Sequence, residues 1–190
     1  PDGGILITRK KIHNRCEKTN EKFLSQKILS KLLRGFTNYH DSYLELEKES
    51  EELIDNIFVP RRMSNFSNLL IQRINIPDIQ KRRINNWNEF DRKLKDLKIS
   101  DIKQLFDKIS DGEIPLGFPI IVKKNRDKLR EFLKQQSIYC PIHWQLVNDE
   151  GMKFQKDLQL SKKILTIPID QRVNSISIDK IISALSVFQF

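Results

Sequence analysis

The sequence predicts an α+β protein, with a mainly helical N-terminal half followed by a small C-terminal domain of sheet and helices. Two patterns indicate this class. Up to about residue 99, apolar residues recur every three or four positions, which is the spacing of amphipathic helices. From about residue 100, short β-branched runs alternate with helical stretches, a pattern typical of a small layered domain.

The composition permits a buried core and excludes several classes. The chain has 190 residues, of which 38% are hydrophobic and 31% charged, so collagen-like and disordered chains are excluded. Its uninterrupted apolar runs are three residues long, as at 5–7, which predicts no transmembrane helix. Two cysteines cannot form a disulfide framework, so we expect free thiols and a cytoplasmic location.

The N-terminal half begins with a Gly-Gly turn, and a strand is predicted over residues 5–8. Four helices are then predicted. Gly35 and Pro60 end the first two, because glycine favours a helix C-terminus and proline breaks the hydrogen-bond pattern. Pro77 suits the first turn of the fourth. The predicted helices span about 17–34, 42–57, 64–73 and 77–97.

The C-terminal part is predicted to contain three strands, at 118–122, 138–143 and 164–169, that share one sheet. Helices are predicted around them. Asn125 and Ser177 are the predicted N-caps of two, because their side chains can accept from the free N–H groups of a first turn. The four predicted helices are about 102–109, from Asn125 through 133, about 154–161, and about 177–188.

The net charge of +9 admits two interpretations. It is compatible with a nucleic-acid or anionic-membrane partner. However, Ile, Lys and Asn fill 61 of 190 positions, the bias of an AT-rich genome, and the charges are scattered. The segment Lys81-Arg82-Arg83, with Trp87, is either a nucleic-acid patch or the basic outer face of a helix. We favour the second interpretation and expect no nucleic-acid or membrane partner, with a basic helical nucleic-acid- or protein-binding module as the alternative function.

Residue chemistry alone predicts no catalytic or metal site. His13, His40 and His143 are the only histidines, and none has the spacing of a metal cluster with Cys or His. Gly3-Gly4 is too short for a phosphate-binding loop.

Three ordered C-terminal segments resemble a known family. They are Ile-Tyr-Cys-Pro-Ile-His-Trp-Gln-Leu at 138–146, Lys-Ile-Leu-Thr-Ile-Pro-Ile-Asp-Gln-Arg at 163–172, and Ser-Ile-Asp-Lys-Ile-Ile at 177–182. In order and spacing they are similar to the C-terminal domain of fold-type I pyridoxal-phosphate aminotransferases. The resemblance is greatest to the DegT-like branch, the sugar aminotransferases of polysaccharide and antibiotic biosynthesis.

Two N-terminal segments extend the resemblance over nearly the whole chain. Residues 2–8 resemble the Gly-Gly strand that follows the cofactor lysine, and residues 63–67 resemble an Arg-Met-Ser segment, with Arg62 at its arginine. The resemblance implies a C-terminal fragment. Residues 1–99 would be the end of the large domain and the interdomain helices, and residues 100–190 the small domain.

The resemblance implies that the intact enzyme is a homodimer that uses pyridoxal 5'-phosphate. It would pass an amino group from an amino-acid donor such as glutamate to a small-molecule acceptor, a nucleotide-linked keto sugar. The family's cofactor lysine lies shortly before the Gly-Gly strand, whereas Lys10 and Lys11 follow it. No catalytic residue is therefore assigned in this chain, which we expect to be inactive alone.

The resemblance also implies site residues. His143, Trp144 and Arg172 would bind substrate, and Arg62 and Ser64 would bind the cofactor. All of these except Ser64 also have a plain structural interpretation: a packed strand end for the His-Trp pair, a surface arginine after a strand for Arg172, and a solvated pair for Arg61 and Arg62.

The sequence departs from the family at one point near this site. Pro60 stands two residues before Arg62, where the family often has an asparagine. The phosphate contact which that asparagine makes from the neighbouring subunit is therefore in doubt.

Overall fold

The computed structural model describes residues 2–4, 8–11, 16–35, 40–55, 59–143, 146 and 154–189. Contacts divide the chain into two compact units, Pro1–Ile74 and Asn75–Phe190. The named elements of the first are all helices, and the second combines helices with a three-stranded sheet, so the predicted α+β class is confirmed. Within the described ranges, no helix has both the length and the apolar character needed to cross a membrane.

The first unit contains α1 (Glu21–Leu33), α2 (His40–Asp55) and α3 (Asn65–Arg73). Side-chain caps set two of the starts: Asn20 accepts from the N–H of Phe23, and Ser64 accepts from that of Ser67. The three helices predicted for this unit are confirmed, with ends displaced by at most four residues. Most of the predicted strand at 5–8 lies outside the described residues.

A buried charge network joins α1 to α2. Lys27 is 6% exposed, and its ammonium donates to Glu47 at 2.5 Å and also to Glu51. Ser30 donates to the same Glu47 carboxylate at 2.8 Å. Burial alone would raise the pKa of Glu47, but the bonds from lysine and serine outweigh it and lower that pKa to about 2. The helix pair is thus held by a compensated ionic contact.

The second unit contains α4 (Ile76–Leu97), β1 (Ile102–Gln104), β2 (Phe118–Val122), α5 (Arg126–Gln135), α6 (Gln155–Ser161), β3 (Ile164–Ile167) and α7 (Ser175–Val187). The strands form an antiparallel sheet in the order β1-β2-β3. Ile102 lies opposite Val122, and Phe118 lies opposite Ile167. The predicted helices at 77–97, after Asn125, at 154–161 and at 177–188 are confirmed within a few residues.

The core of this unit lies on one face of β2. Phe118, Ile120 and Val122 alternate with half-buried residues and are fully buried. Two rings of α4 pack on Phe118, with centroid distances of 4.3 Å for Trp87 and 4.8 Å for Phe90. Apolar residues of α5, β3 and α7 complete the cluster.

The structure corrects the prediction at two segments. Residues 102–104 form β1 instead of a helix, because pairing with residues 120–122 of β2 outweighs their helical spacing. Residues 138–143 do not form a strand. Pro141 has no N–H to donate, and this segment contacts β3 through one backbone bond, from the N–H of Thr166 to the carbonyl of Pro141 at 3.2 Å.

Two predicted helix caps also differ. Asn174, and not Ser177, caps α7, and its side chain accepts from the N–H of Ser177. Asn125 is at the N-cap position of α5 but has φ 58° and ψ 27°, and its side chain makes no cap bond. The left-handed backbone orients this side chain differently from an extended cap.

We predict that Phe118→Ala lowers the free energy of unfolding by about 3–5 kcal/mol, because it leaves a cavity between two aromatic rings. Phe106→Ala is the matched control, since Phe106 is 55% exposed. It should change stability by about 0.5 kcal/mol or less. Chemical denaturation of both variants measures the difference, and equal losses would contradict the assigned core.

Candidate functional site

The loop after β3 is fixed by a buried amide of α4. The Asn86 Nδ2 atom donates to the carbonyl oxygens of Ile169 at 3.2 Å, Asp170 at 2.9 Å and Val173 at 3.0 Å. Asn86 is 8% exposed, so these bonds compensate a polar group that water barely reaches. The helix core therefore positions the loop in which Arg172 lies.

Arg172 is bound to its own loop. Its Nε and Nη2 atoms donate to the two oxygens of Asp170 at 2.9 and 2.6 Å, and its backbone N–H donates to the same carboxylate at 2.9 Å. The bond from Arg172 holds the pKa of Asp170 below its usual value. Because the Arg172 side chain is still 61% exposed, its charge is presented to solvent in a fixed orientation.

The two other predicted substrate residues are only partly described. His143 is exposed and makes no hydrogen bond or ion pair with a described residue, and Trp144 lies outside the described residues. The bond between Thr166 and Pro141 brings the His143 segment beside β3. Apolar residues of this segment and of the Arg172 loop also belong to the same core cluster.

Two of the three basic residues at 81–83 are engaged in contacts within the second unit. Arg82 pairs with Asp78 at 2.9 Å, and Arg83 donates to Gln171 at 2.8 Å. Trp87 is 5% exposed and packs in the core, so it cannot stack on a nucleic-acid base. This arrangement fits the outer face of a helix.

In the first unit, the N-terminus of α3 is occupied by a carboxylate. Asp2 accepts from the backbone N–H of Ser64 at 2.9 Å, from its hydroxyl at 2.6 Å, and from the hydroxyl of Ser67. Burial alone would raise the pKa of Asp2, but these bonds together outweigh it and lower that pKa. The negative charge is also favoured at this end of a helix.

Gly3 allows the two family-like segments of this unit to meet. It has φ 86°, and a Cβ atom there would lie 2.5 Å from the Met63 Cγ. Residues 2–4 and 63–67 are therefore in direct contact. Sequence reasoning aligned both with the family but did not identify their contact, or the roles of Asp2 and Asn86.

A cofactor phosphate fits these residues only in part. Arg62 is exposed, and its guanidinium makes no bond to a described residue, so it is available to a phosphate. Ser64 donates both of its N–H and O–H groups to Asp2, whose charge would repel a phosphate. Ser64 could take that role only if Asp2 moved. The described residues thus do not assemble a complete cofactor site.

No other reactive group stands out among the described residues. Burial raises the pKa of the Cys140 thiol to about 12, so it is neither a nucleophile nor a metal ligand at neutral pH. No group of three or more His, Cys, Asp or Glu side chains in the described ranges could hold a metal ion.

We predict that Gly3→Ala destabilises the chain by about 1–3 kcal/mol, because it forces a side chain into a left-handed backbone and against Met63. Gly4→Ala is the control, since nothing lies within 4 Å of a Cβ atom there. Thermal unfolding should separate the two variants. If both unfold at the same temperature, the contact between these segments is wrong.

Comparison with known proteins gives a consistent result. The model of the DegT/DnrJ/EryC1/StrS aminotransferase family matches residues 19–186. No curated protein matches the chain.

Three solved structures share the fold. The aminotransferase TlmJ from Streptoalloteichus hindustanus has a TM-score of 0.53 at 15% identity, and the match covers 69% of this chain and 38% of the TlmJ chain. DesV from S. venezuelae has a TM-score of 0.53 at 17% identity, and the match covers 63% of this chain and 34% of DesV. The PLP-form of the putative sugar aminotransferase Spr1654 from Streptococcus pneumoniae has a TM-score of 0.52 at 17% identity, and the match covers 69% of this chain and 38% of Spr1654. The chain thus spans about a third of their length. Since the family model covers most of both units, this chain belongs to the DegT/DnrJ/EryC1/StrS aminotransferase family.

Proposed function

We propose that the chain is the C-terminal part of a pyridoxal-phosphate-dependent sugar aminotransferase. In the intact enzyme, an amino-acid donor supplies the amino group, and a nucleotide-linked keto sugar accepts it. The observation that carries this proposal is the family match over residues 19–186, which spans both units. The fold shared with TlmJ and DesV supports it.

The same proposal assigns the parts of the chain within the intact enzyme. Residues 1–99 are the end of the large domain with the interdomain helices, and residues 100–190 are the small domain. The intact enzyme is a cytoplasmic homodimer. The exposed guanidinium of Arg62, which has no partner among the described residues, would contact the cofactor phosphate.

Arg172 is the proposed anchor for an acidic group of the substrate. Asp170 engages Nε and Nη2, which fixes the plane of the guanidinium and leaves Nη1 for a carboxylate or phosphate. His143 and Trp144 would line the same cleft. Arg172 would hold a substrate group that takes no part in bond changes, so we expect it to bind the ground state and the transition state equally.

The amino transfer itself is tested on the complete gene product. With ¹⁵N-labelled glutamate as donor and a nucleotide-linked keto sugar as acceptor, we expect the label in an amino sugar. Transfer to keto acids alone would overturn the sugar assignment, and absence of transfer to any acceptor would overturn the activity.

We predict that Arg172→Ala in the complete enzyme raises KM for an acidic substrate about ten- to a hundredfold and leaves kcat nearly unchanged. A charge-assisted hydrogen bond of about 1.5–3 kcal/mol is lost. Arg92→Ala, the same change at another exposed arginine of the second unit, is the control. Steady-state kinetics of both variants measure KM and kcat. A loss of kcat at constant KM would contradict the role, and Arg172 would then be a structural surface residue.

We also predict that the 190-residue chain does not transaminate alone, because the proposal places the cofactor lysine ahead of the Gly-Gly strand. With one equivalent of pyridoxal phosphate and glutamate, no 2-oxoglutarate should form. After borohydride reduction, mass spectrometry should find no dominant labelled lysine. A stable absorbance at roughly 410–430 nm, with one lysine of this chain fully labelled, would show that the site is misplaced.

A further inference from the structure

A basic cavity of about 420 Å³ lies beside the first turn of α5, and we call it the lysine pocket. Four short stretches of the second unit line it: the end of β2, the turn that follows, the start of α5 and the turn between α6 and β3. Its positively charged lining consists of five lysines and an arginine: Lys123, Lys124, Lys128, Lys162, Lys163 and Arg126.

One backbone bond and one side-chain bond hold the two turns of the lysine pocket together. The N–H of Val122 donates to the carbonyl of Lys163 at 2.9 Å, and the Arg126 Nη1 donates to the carbonyl of Ile164 at 3.1 Å. The lysines on the two turns are therefore brought to one place by the sheet itself.

The lysine pocket has a large excess of positive charge. Its six cations face one carboxylate, Asp127. All five lysines are exposed, and none pairs with a carboxylate of the described residues. Like charges so close together repel one another, which costs stability that a bound anion would restore.

Beside the lysine pocket, two kinds of hydrogen-bond donor at the start of α5 lack a side-chain acceptor. The Asn125 side chain does not cap α5, so the N–H groups of its first turn lack a side-chain acceptor. The Arg126 side chain is 6% exposed, and its buried Nε has no hydrogen bond. The Asp127 Oδ1 lies 2.8 Å from that Nε but off the direction of its N–H, so the ion pair leaves the donor unsatisfied.

We propose that the lysine pocket binds a compact ligand with two or more phosphate groups, of the pyrophosphate class. Several point charges around a concave site suit an anion whose charge is spread over more than one phosphate. The lining contains no aromatic side chain, so nucleic-acid bases have no surface on which to stack. The site is independent of amino transfer.

The test is calorimetric titration of the 190-residue chain with inorganic pyrophosphate at about 0.1 M salt. Lys162→Gln with Lys163→Gln should weaken binding about tenfold or more. The matched control is Lys108→Gln with Lys180→Gln, which removes the same charge from exposed lysines outside the pocket. The control should bind within about twofold of the unchanged chain.

A second variant tests the pocket in the opposite direction. Asp127→Asn keeps the side-chain shape but removes the one carboxylate of the pocket lining, so the variant should bind pyrophosphate about three- to tenfold more tightly. Circular dichroism verifies that each variant is folded. Because this change strengthens binding, it tests the proposal even if the lysine variants unfold.

Four results would overturn the proposal. Pyrophosphate does not bind, the control loses as much affinity as the pocket variant, or Asp127→Asn binds more weakly. In the fourth, a single-stranded oligonucleotide binds through Lys162 and Lys163 while pyrophosphate does not, which would make the surface a nucleic-acid site.

Discussion

The burial of one face of β2 organises the second unit. Phe118, Ile120 and Val122 are fully inaccessible to water, and each such side chain contributes roughly 1.5–3 kcal/mol on burial. A slip of one residue would expose all three, so the register with β1 and β3 is strongly determined. Both candidate sites of this unit follow from that register: the loop of Arg172 comes after β3, and one turn of the lysine pocket comes after β2.

Three charged sites illustrate different ways of supplying a counter-ion. At the start of α3 the chain supplies its own anion, Asp2, over a separation of 62 residues. Arg172 receives one from Asp170, two residues away. At the start of α5 the neighbouring carboxylate of Asp127 leaves the buried arginine donor unsatisfied. The positive end of a helix is therefore neutralised by Asp2 at the start of α3, whereas the start of α5 keeps a donor without an acceptor.

The sequence predicted those elements whose signals are local. Helices such as α4 follow from apolar spacing, and β2 from a short β-branched run. Residues 102–104 and 138–143 were assigned wrongly, because their state depends on which segment pairs with β2 and β3. Asn86 and Asp2 could not be recognised, since their partners lie 83 and 62 residues away or more. The family resemblance came instead from the order of several weak motifs.

Cys140 has a practical consequence for biophysical work on this chain. Its thiol is 3% exposed and stays protonated at neutral pH, whereas Cys16, the other cysteine, is half-buried. A maleimide dye added to the native chain should therefore attach to Cys16 in the first unit and leave Cys140, in the core of the second unit, unmodified. The wild-type sequence already contains a position for a fluorophore or spin label, and no cysteine needs to be removed first.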